Sequence, residues 1–136
     1  MSNKQKHLEF IQGVISRTAS NSFLLKGWTV TLFTILFVFA TEKINFQCIL
    51  VAIFPVFIFW LLDGFFLQKE RLFRDLYNEV RVKDESQIDF SLDPQQFENK
   101  KENKYGSTLF SKTIWPFYIP LMVTIIALTL IIKFSQ

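Results

Sequence analysis

The sequence has one cysteine and one histidine among its 136 residues, Cys48 and His7. A single cysteine excludes a disulfide framework within the chain and a metal cluster built from several thiolates. A single histidine excludes the paired-histidine zinc motifs and leaves little imidazole for acid–base chemistry near neutral pH. Glycine-rich phosphate loops and nucleophile elbows are missing as well, and the acidic residues of 84–98 are scattered through polar segments. We therefore expect a protein that is not an enzyme and that needs no cofactor or metal.

Charged residues are scarce outside one region, since most of them lie in residues 69–104. Three stretches carry almost no charge: residues 23–40, 46–62 and 113–132. A membrane-spanning helix needs about 17–25 mostly apolar residues, so all three are long enough. The alternative, buried helices in a soluble protein, leaves too few polar residues to coat the core. Because backbone groups in lipid must be satisfied within their own segment, we predict an all-α membrane protein with three transmembrane helices.

The basic residues are distributed unequally over the connections between these spans. Thirteen of the 15 Lys and Arg residues lie before residue 27 or in the connection 68–112. Only Lys43, in the short turn 41–45, and Lys133, near the end of the chain, lie elsewhere. Basic residues are retained on the cytoplasmic side, so the N-terminus and the long connection should be cytoplasmic and the C-terminus outside. The first apolar stretch should stay in the mature protein as a span, because another span follows it.

We divide the chain into four parts: a cytoplasmic amphipathic helix over residues 1–22, a transmembrane hairpin over 23–67, a cytoplasmic helical stalk and connection over 68–112, and a third transmembrane helix with a short outer tail over 113–136. The spans of the hairpin are residues 23–40 and 46–67. The amphipathic helix could lie on the membrane surface or pack on a neighbouring helix. Its polar face is not strongly basic, which favours packing.

The second span is predicted to continue as a helix from Phe46 to Val82, about 55 Å long at 1.5 Å per residue. That exceeds the thickness of a bilayer, so its end should project as a stalk. One side of the stalk is apolar at helical spacing, and its residues are Leu72, Phe73, Leu76, Tyr77 and Val80. This apolar arc cannot face water and needs a partner, either the N-terminal helix or the same arc in another subunit. The second possibility makes it an oligomer interface.

A further helix is predicted after the stalk. Asp93, Pro94 and Gln96 have the order of an N-cap, a first helical residue and a third helical residue. This helix should end near Lys104, with Gly106 as its stop.

Lys26 and Asp63 are ionisable residues at the ends of two spans, and an antiparallel hairpin brings them to a similar depth. Such residues are costly in a membrane unless they are paired or wet. We favour a pair that locks the hairpin. The alternatives are a polar cavity or pore mouth and a Lys26 side chain that extends to solvent.

Two further sets of residues belong to the spans. Gly27, Thr31 and Thr34 recur on one face of the first span, where small residues allow close helix contact. A helix contact is the favoured interpretation of this stripe, and a weakly polar pore lining is the alternative. Aromatic residues at the predicted cytoplasmic ends of the spans should anchor them at the headgroups. These are Trp28, Trp60, Trp115 and Tyr118.

A family likeness rests on short motifs at the spans. The first span is entered through Ser22, Leu25, Lys26, Gly27, Trp28, Val30 and Thr31, the second ends on Phe59, Trp60 and Asp63, and the stalk begins with Gln68, Glu70, Arg71, Leu72 and Phe73. Over roughly residues 5–80 this pattern resembles small bacterial inner-membrane proteins of the RipA type. The resemblance implies an octameric assembly in the bacterial inner membrane, with a relationship to small CRISPR-associated membrane proteins that form pores and aid phage defence. The Arg/His motif of those relatives is missing, which speaks against a nuclease-like role.

From these observations we expect a homo-oligomeric ring of three-span subunits that acts as an inner-membrane channel or pore. Under the resemblance it would be a stress or phage-defence effector gated by a cytoplasmic partner. The alternative is a membrane anchor or adaptor whose cytoplasmic helices bind a soluble protein without transport. The expected partners are further copies of the chain, the lipid bilayer and a cytoplasmic protein. Nucleic acid is not expected, because the charges of the long connection are balanced.

Overall fold

The computed structural model describes residues 1–40 and 46–135, and within these ranges it contains helices and no strands. The predicted turn 41–45 with Lys43, and the final residue, Gln136, lie outside the described residues. The α-helices in chain order are α1 (Asn3–Ala40), α2 (Phe46–Val82), α3 (Tyr105–Leu109) and α4 (Trp115–Ser135). Helices α1, α2 and α4 are long and apolar enough to cross a membrane. The prediction of a helical chain with three helices suited to span a membrane is confirmed for the described residues.

Helices α1 and α2 are much longer than the spans within them. Helix α1 joins the predicted amphipathic helix to the first span without a break, and α2 has the predicted bounds Phe46–Val82. At 38 and 37 residues they measure about 57 and 55 Å, against roughly 30 Å for the hydrocarbon core of a bilayer. They run antiparallel, because Lys4 contacts the end of α2 while Lys26 contacts its middle.

The chain therefore has two layers. The charged layer comprises residues 3–21 of α1, residues 68–82 of α2 and the connection 83–114. The apolar layer comprises the remaining, span-forming parts of α1 and α2 together with α4. Asp63, near the middle of α2, lies at the boundary between them.

The charged layer has its own core between α1 and α2. Its buried residues are Ile11, Ile15, Leu76, Val80 and Ile88, and Leu8, Phe73, Tyr77 and Phe97 pack around them. Burying an aliphatic side chain of this size contributes about 1.5–3 kcal/mol. The N-terminal part of α1 thus packs on α2. Packing on a neighbouring helix is the alternative that we favoured from the sequence, because the polar face of this segment is not strongly basic.

This core changes the interpretation of the apolar arc on α2. Leu72, Leu76 and Val80 are buried inside the single chain, while Phe73 and Tyr77 are half-buried. Of the two partners that the arc could have, the N-terminal helix occupies the position. Leu76 and Val80 are therefore not available to a second subunit in this arrangement, because they lie in the core that α2 shares with α1.

The apolar layer has a second core, in which α4 packs against α2. Its buried residues are Ile49, Val56, Ile114, Tyr118 and Ile125. Ile114 immediately precedes α4, so this core also holds the point where the connection enters the third span.

The helix predicted over residues 93–104 is wrong. The segment forms two separate 3-10 turns, Gln95–Phe97 and Lys101–Asn103, and Gly106 lies inside α3 instead of ending a helix. The Asp93 carboxylate accepts the N–H of Gln95 at 3.0 Å, which closes a local turn and does not cap an α-helix. Tertiary contacts of this segment prevail over the local helix signal.

Asn103 provides those contacts. Its side-chain nitrogen donates to the Asp75 carboxylate on α2 at 2.7 Å and to the Phe97 carbonyl at 2.9 Å. Its carbonyl accepts a hydrogen bond from Gln68 at 2.9 Å, and Lys100 pairs with Asp75 at 3.2 Å. The buried Asn103 therefore ties both turns to α2.

Helix α3 lies against α2 where Gly64 lacks a side chain. A Cβ atom at Gly64 would lie 2.4 Å from the end of the Leu109 side chain. Thr108 donates to the Gly64 carbonyl at 3.0 Å, and Tyr105 donates to the Leu61 carbonyl at 2.7 Å. Burial raises the pKa of the Tyr105 phenol above its ordinary value.

Candidate functional site

The most polar buried site of the described residues is centred on the Asp63 carboxylate. Asp63 is fully buried on α2. Lys26, on α1, donates to Oδ2 at 2.5 Å, and Tyr118, on α4, donates to the same oxygen at 3.0 Å. The Ser22 hydroxyl, also on α1, donates to Oδ1. Side chains of α1 and α4 thus bind the carboxylate that α2 supplies, and the site joins all three long helices.

Helical spacing explains how α1 supplies two of these donors. Ser22 and Lys26 are four residues apart and lie one above the other on the same face. The Lys26 ammonium also donates to the Ser22 hydroxyl oxygen at 3.0 Å. The serine therefore links the cation to the second carboxylate oxygen, and both oxygens of Asp63 have partners.

The electrostatics of the site are those of a neutralised pair. An isolated carboxylate in apolar surroundings is costly, and an opposite charge with further hydrogen bonds offsets that cost. The carboxyl group of Asp63 is completely enclosed, whereas the side chain of Lys26 is 21% exposed. The site can hold three helices in register.

The structure brings Lys26 and Asp63 together as an intrachain pair and adds Ser22 and Tyr118, which the sequence did not assign to the site. Tyr118 was predicted as a headgroup anchor, and this prediction is wrong: its side chain is fully buried and its hydroxyl is bonded to Asp63. Its signal was available, because a hydroxyl in an apolar span needs a partner and Asp63 lies at the same level.

The three tryptophans occupy different environments. Trp28 and Trp115 are exposed, as residues that contact a headgroup region would be. Trp60 is half-buried, and its indole N–H donates to the Leu109 carbonyl at 3.1 Å. Trp60 therefore also attaches α3 to α2.

The stripe Gly27, Thr31 and Thr34 faces outward from the chain. All three residues are exposed, and a Cβ atom at Gly27 would meet nothing within 4 Å. The hydroxyls of Thr31 and Thr34 donate to the carbonyls four residues earlier, at 3.0 and 2.9 Å. Between Ser22 and Ala40, the hydroxyl that is buried belongs to Thr29 instead. The stripe thus makes no helix contact within the described part of the chain.

A wide groove lies in the charged layer. Its volume is about 630 Å³, and it is lined by Arg71, Arg74, Asp75, Asn78, Lys101, Glu102, Asn103 and Ser107. Its arginines are engaged within the chain: Arg71 donates to the Glu102 carbonyl at 2.6 Å, and Arg74 pairs with Glu70 at 2.7 Å. Across residues 1–40 and 46–135, no group of three His, Cys, Asp or Glu side chains is placed to hold a metal ion.

No protein-family model, curated protein or solved structure matches this chain.

Proposed function

We propose that the chain is the subunit of a homo-oligomeric channel in the bacterial inner membrane, gated by a soluble cytoplasmic protein. The observation that carries the proposal is the uncovered span of α1. In its most apolar 18-residue window 6% of residues are buried within the chain, against 17% in α2 and in α4. The stripe Gly27, Thr31 and Thr34 lies on the exposed side of this span.

A single copy is a poor pore. The space between the three helices holds large apolar side chains such as Val56, Ile114 and Tyr118, and the Asp63 carboxylate is fully bonded. A polar passage therefore requires several copies arranged around an axis. Small and weakly polar residues on an outward face suit such an arrangement, since they permit close helix approach or line a narrow pore.

The length of α1 and α2 supports gating from the charged layer. Each helix runs without interruption from the charged layer into its span, and the Asp63 site connects both to α4. A protein that tilts the charged end of this hairpin would thereby move all three spans. The RipA-like motif adds an octameric ring with a stalk on the cytoplasmic side, and a role in stress or phage defence, to this proposal.

Reconstitution of the purified protein into liposomes loaded with a self-quenching dye tests the channel. We expect a defined oligomer in particle images, and we expect dye release that increases with the amount of protein added. Replacing the stripe hydroxyls by T31L and T34L should alter the oligomer or the leak. The matched control is T124L, because Thr124 is also exposed, on α4, and its hydroxyl donates to a carbonyl of its own helix at 2.8 Å. A monomer without leak would contradict the channel.

The adaptor is the second candidate, and the ordered connection favours it. Asn103 and Trp60 fix the connection to α2, which gives a soluble protein a defined surface to bind. An adaptor predicts a monomeric or small assembly, a stable soluble partner and no change in membrane permeability.

The proposed orientation has its own test. Alkaline phosphatase fused after Gln136 should be active, because that enzyme folds only outside the cytoplasm, whereas a fusion within the connection should be inactive. The reverse pattern would contradict a cytoplasmic charged layer.

A further inference from the structure

A second cavity lies at the end of the charged layer that is farthest from the spans. It measures about 460 Å³ and is lined by Asn3, Lys6, His7, Phe10, Phe90 and Leu92. The first four residues are on the first turns of α1, and the last two are in the connection after α2. The single histidine of the chain, which has no part in the Asp63 site, is thus a wall of this cavity.

His7 is buried without a hydrogen bond on one nitrogen. Its side chain is 4% exposed, and Nε2 is enclosed and has no partner within the described residues. The Phe90 ring covers it edge-on, with ring centroids 5.5 Å apart and planes at 76°. A buried polar atom without a partner is unfavourable, so this arrangement favours any change that supplies one.

The cover itself is held in an unfavourable conformation. Phe90 has a φ of 56°, the only positive φ outside glycine among residues 1–40 and 46–135. A side chain of this size is rarely found in the left-handed region, and such residues are concentrated at binding sites and switches. Movement of Phe90 away from His7 would relieve the backbone and open a path to Nε2.

The walls of the cavity are apolar and open. Phe10, Phe90 and Leu92 are 67%, 45% and 46% exposed. His7 precedes Ser22 of the Asp63 site by about four turns of helix, or about 22 Å. Lipid that surrounds the spans does not reach this distance, so these side chains are open to a molecule in solution.

Charge determines which kind of molecule fits. Lys6 is the only charged residue that lines the cavity, and no carboxylate lines it. Lys6 also makes no ion pair with the described part of the chain. A positive rim beside an apolar wall is complementary to a negative ligand with a large apolar group.

We propose that this cavity binds an acidic peptide segment of a soluble partner protein, one that carries a large apolar side chain next to a carboxylate. The apolar side chain packs against Phe10 and Leu92. The carboxylate accepts hydrogen bonds from the Lys6 ammonium and, once Phe90 turns away, from the Nε2–H of His7. This inference names the chemistry of the partner in the proposed gating. The effect of binding on a pore rests on the proposed function, whereas binding itself does not require a pore.

Fluorescence anisotropy on the full-length protein in lipid nanodiscs tests the inference. The probe is a labelled ten-residue peptide with a Phe-Leu pair among four acidic residues. One comparison peptide has lysines in place of the acids, and another has alanines in place of the pair. We expect the acidic peptide to bind about tenfold more tightly than either, with an affinity that falls as salt rises.

Three variants should change this affinity in two directions. K6E and F10S should each weaken binding about tenfold, because one reverses the rim charge and the other removes an apolar anchor. F90G should strengthen binding severalfold, because it removes the cover and glycine adopts a positive φ without strain. The matched controls K101E and V82S alter an exposed cation and an exposed apolar residue outside the cavity and should bind as the wild type does. Circular dichroism should show equal helix content in all variants.

Several results would overturn the inference. These are no binding of the acidic peptide, equal binding of the lysine peptide, equal losses in K6E and K101E, and weaker binding in F90G. If F10S changes the mass of the oligomer but not peptide binding, the occupant of the cavity is a second copy of the chain. If the protein binds anionic vesicles and F10S abolishes that binding, the occupant is lipid. If the protein binds the peptide but releases no dye from liposomes, the channel is contradicted and the docking site is not.

Discussion

The two cores of this chain are built from similar residues but cover their helices differently. In the charged layer, α1 and α2 bury their apolar arcs against each other around Ile11, Leu76 and Val80. In the apolar layer, α1 leaves most of its span uncovered. Water would oppose exposure in the first layer, whereas lipid accepts it in the second. Apolar contact between α1 and α2 therefore organises the charged layer, whereas in the apolar layer the span of α1 is left mostly for lipid or another subunit to cover.

Polar groups follow the same division. In the charged layer, hydrogen bonds and ion pairs are spread over α2 and the connection, and examples are Glu79 with Lys83 and Asn103 with Asp75. Near the apolar layer, they are concentrated on the Asp63 carboxylate, which has partners on two other helices. Because this buried site joins three helices, substitutions there should lower the stability of the protein more than substitutions elsewhere.

The largest effect is expected at that site. Replacing Asp63 by leucine leaves the Lys26 charge without its partner and should lower the free energy of unfolding by about 3–5 kcal/mol. Unfolding by titration with sodium dodecyl sulfate, followed by circular dichroism, measures this loss. The double variant K26M/D63L should recover much of it, because it contains no unpaired charge. K112M is the control, since Lys112 is exposed. A double variant as unstable as D63L would contradict a pair-based role.

The next effect compares the two cores directly. L76A removes a buried side chain from the charged-layer core and should cost about 3 kcal/mol, the usual range for leucine to alanine. I125A removes a similar volume from the apolar-layer core and should cost roughly half as much, because the unfolded span remains in lipid and not in water. The same titration measures both. Equal losses would mean that the two cores are stabilised in the same way.

A smaller effect is expected in the connection. N103A removes the hydrogen bonds to Asp75 and to the Phe97 carbonyl and should cost about 2 kcal/mol, mostly locally. Hydrogen exchange should accelerate over residues 95–104 and remain slow in α2. N78A is the matched control on the exposed side of α2. Unchanged exchange in N103A would show that other contacts hold the turns.

The smallest effect is expected for Y118F. It removes the hydroxyl that bonds to Asp63 at 3.0 Å while keeping the buried ring, and Lys26 and Ser22 still satisfy the carboxylate. Hydrogen bonds between membrane helices contribute about 0.6 kcal/mol on average, and a charged acceptor makes about 1 kcal/mol the expectation here. The unfolding titration measures it. A loss as large as that of D63L would place Tyr118 at the centre of the site.

Sequence reasoning was most accurate where one physical requirement dominates. The three spans followed from the lengths of uncharged stretches, and the helix Phe46–Val82 followed from continuous apolar periodicity. Asp63 and Lys26 stood out because charges near a span are rare. The likeness to RipA-type proteins remains a prediction, as do the ring, the orientation and the channel.

Prediction from the sequence failed where a side chain is compatible with two different environments. Tyr118 is an amphipathic aromatic residue of the kind that anchors a span at the headgroups. It is buried instead, because its hydroxyl bonds to Asp63. Asp93 and Pro94 have the order of a helix start, yet Asn103 holds the segment as two 3-10 turns. His7 is buried against Phe90, a contact that nothing in the neighbouring sequence indicates. In each case, a partner distant in sequence decided the outcome.

The linear pattern of charge and hydropathy is enough to establish a helical membrane protein with three spans and a charged layer, because lipid admits only segments that satisfy their own backbone. Which surfaces those helices share depends on their packing. Helix α1 covers the apolar arc of α2, Ser22 and Tyr118 complete the Asp63 site, and the stripe at Gly27 faces outward. A period of 3.6 residues specifies a face, but only the arrangement of the helices specifies what that face meets.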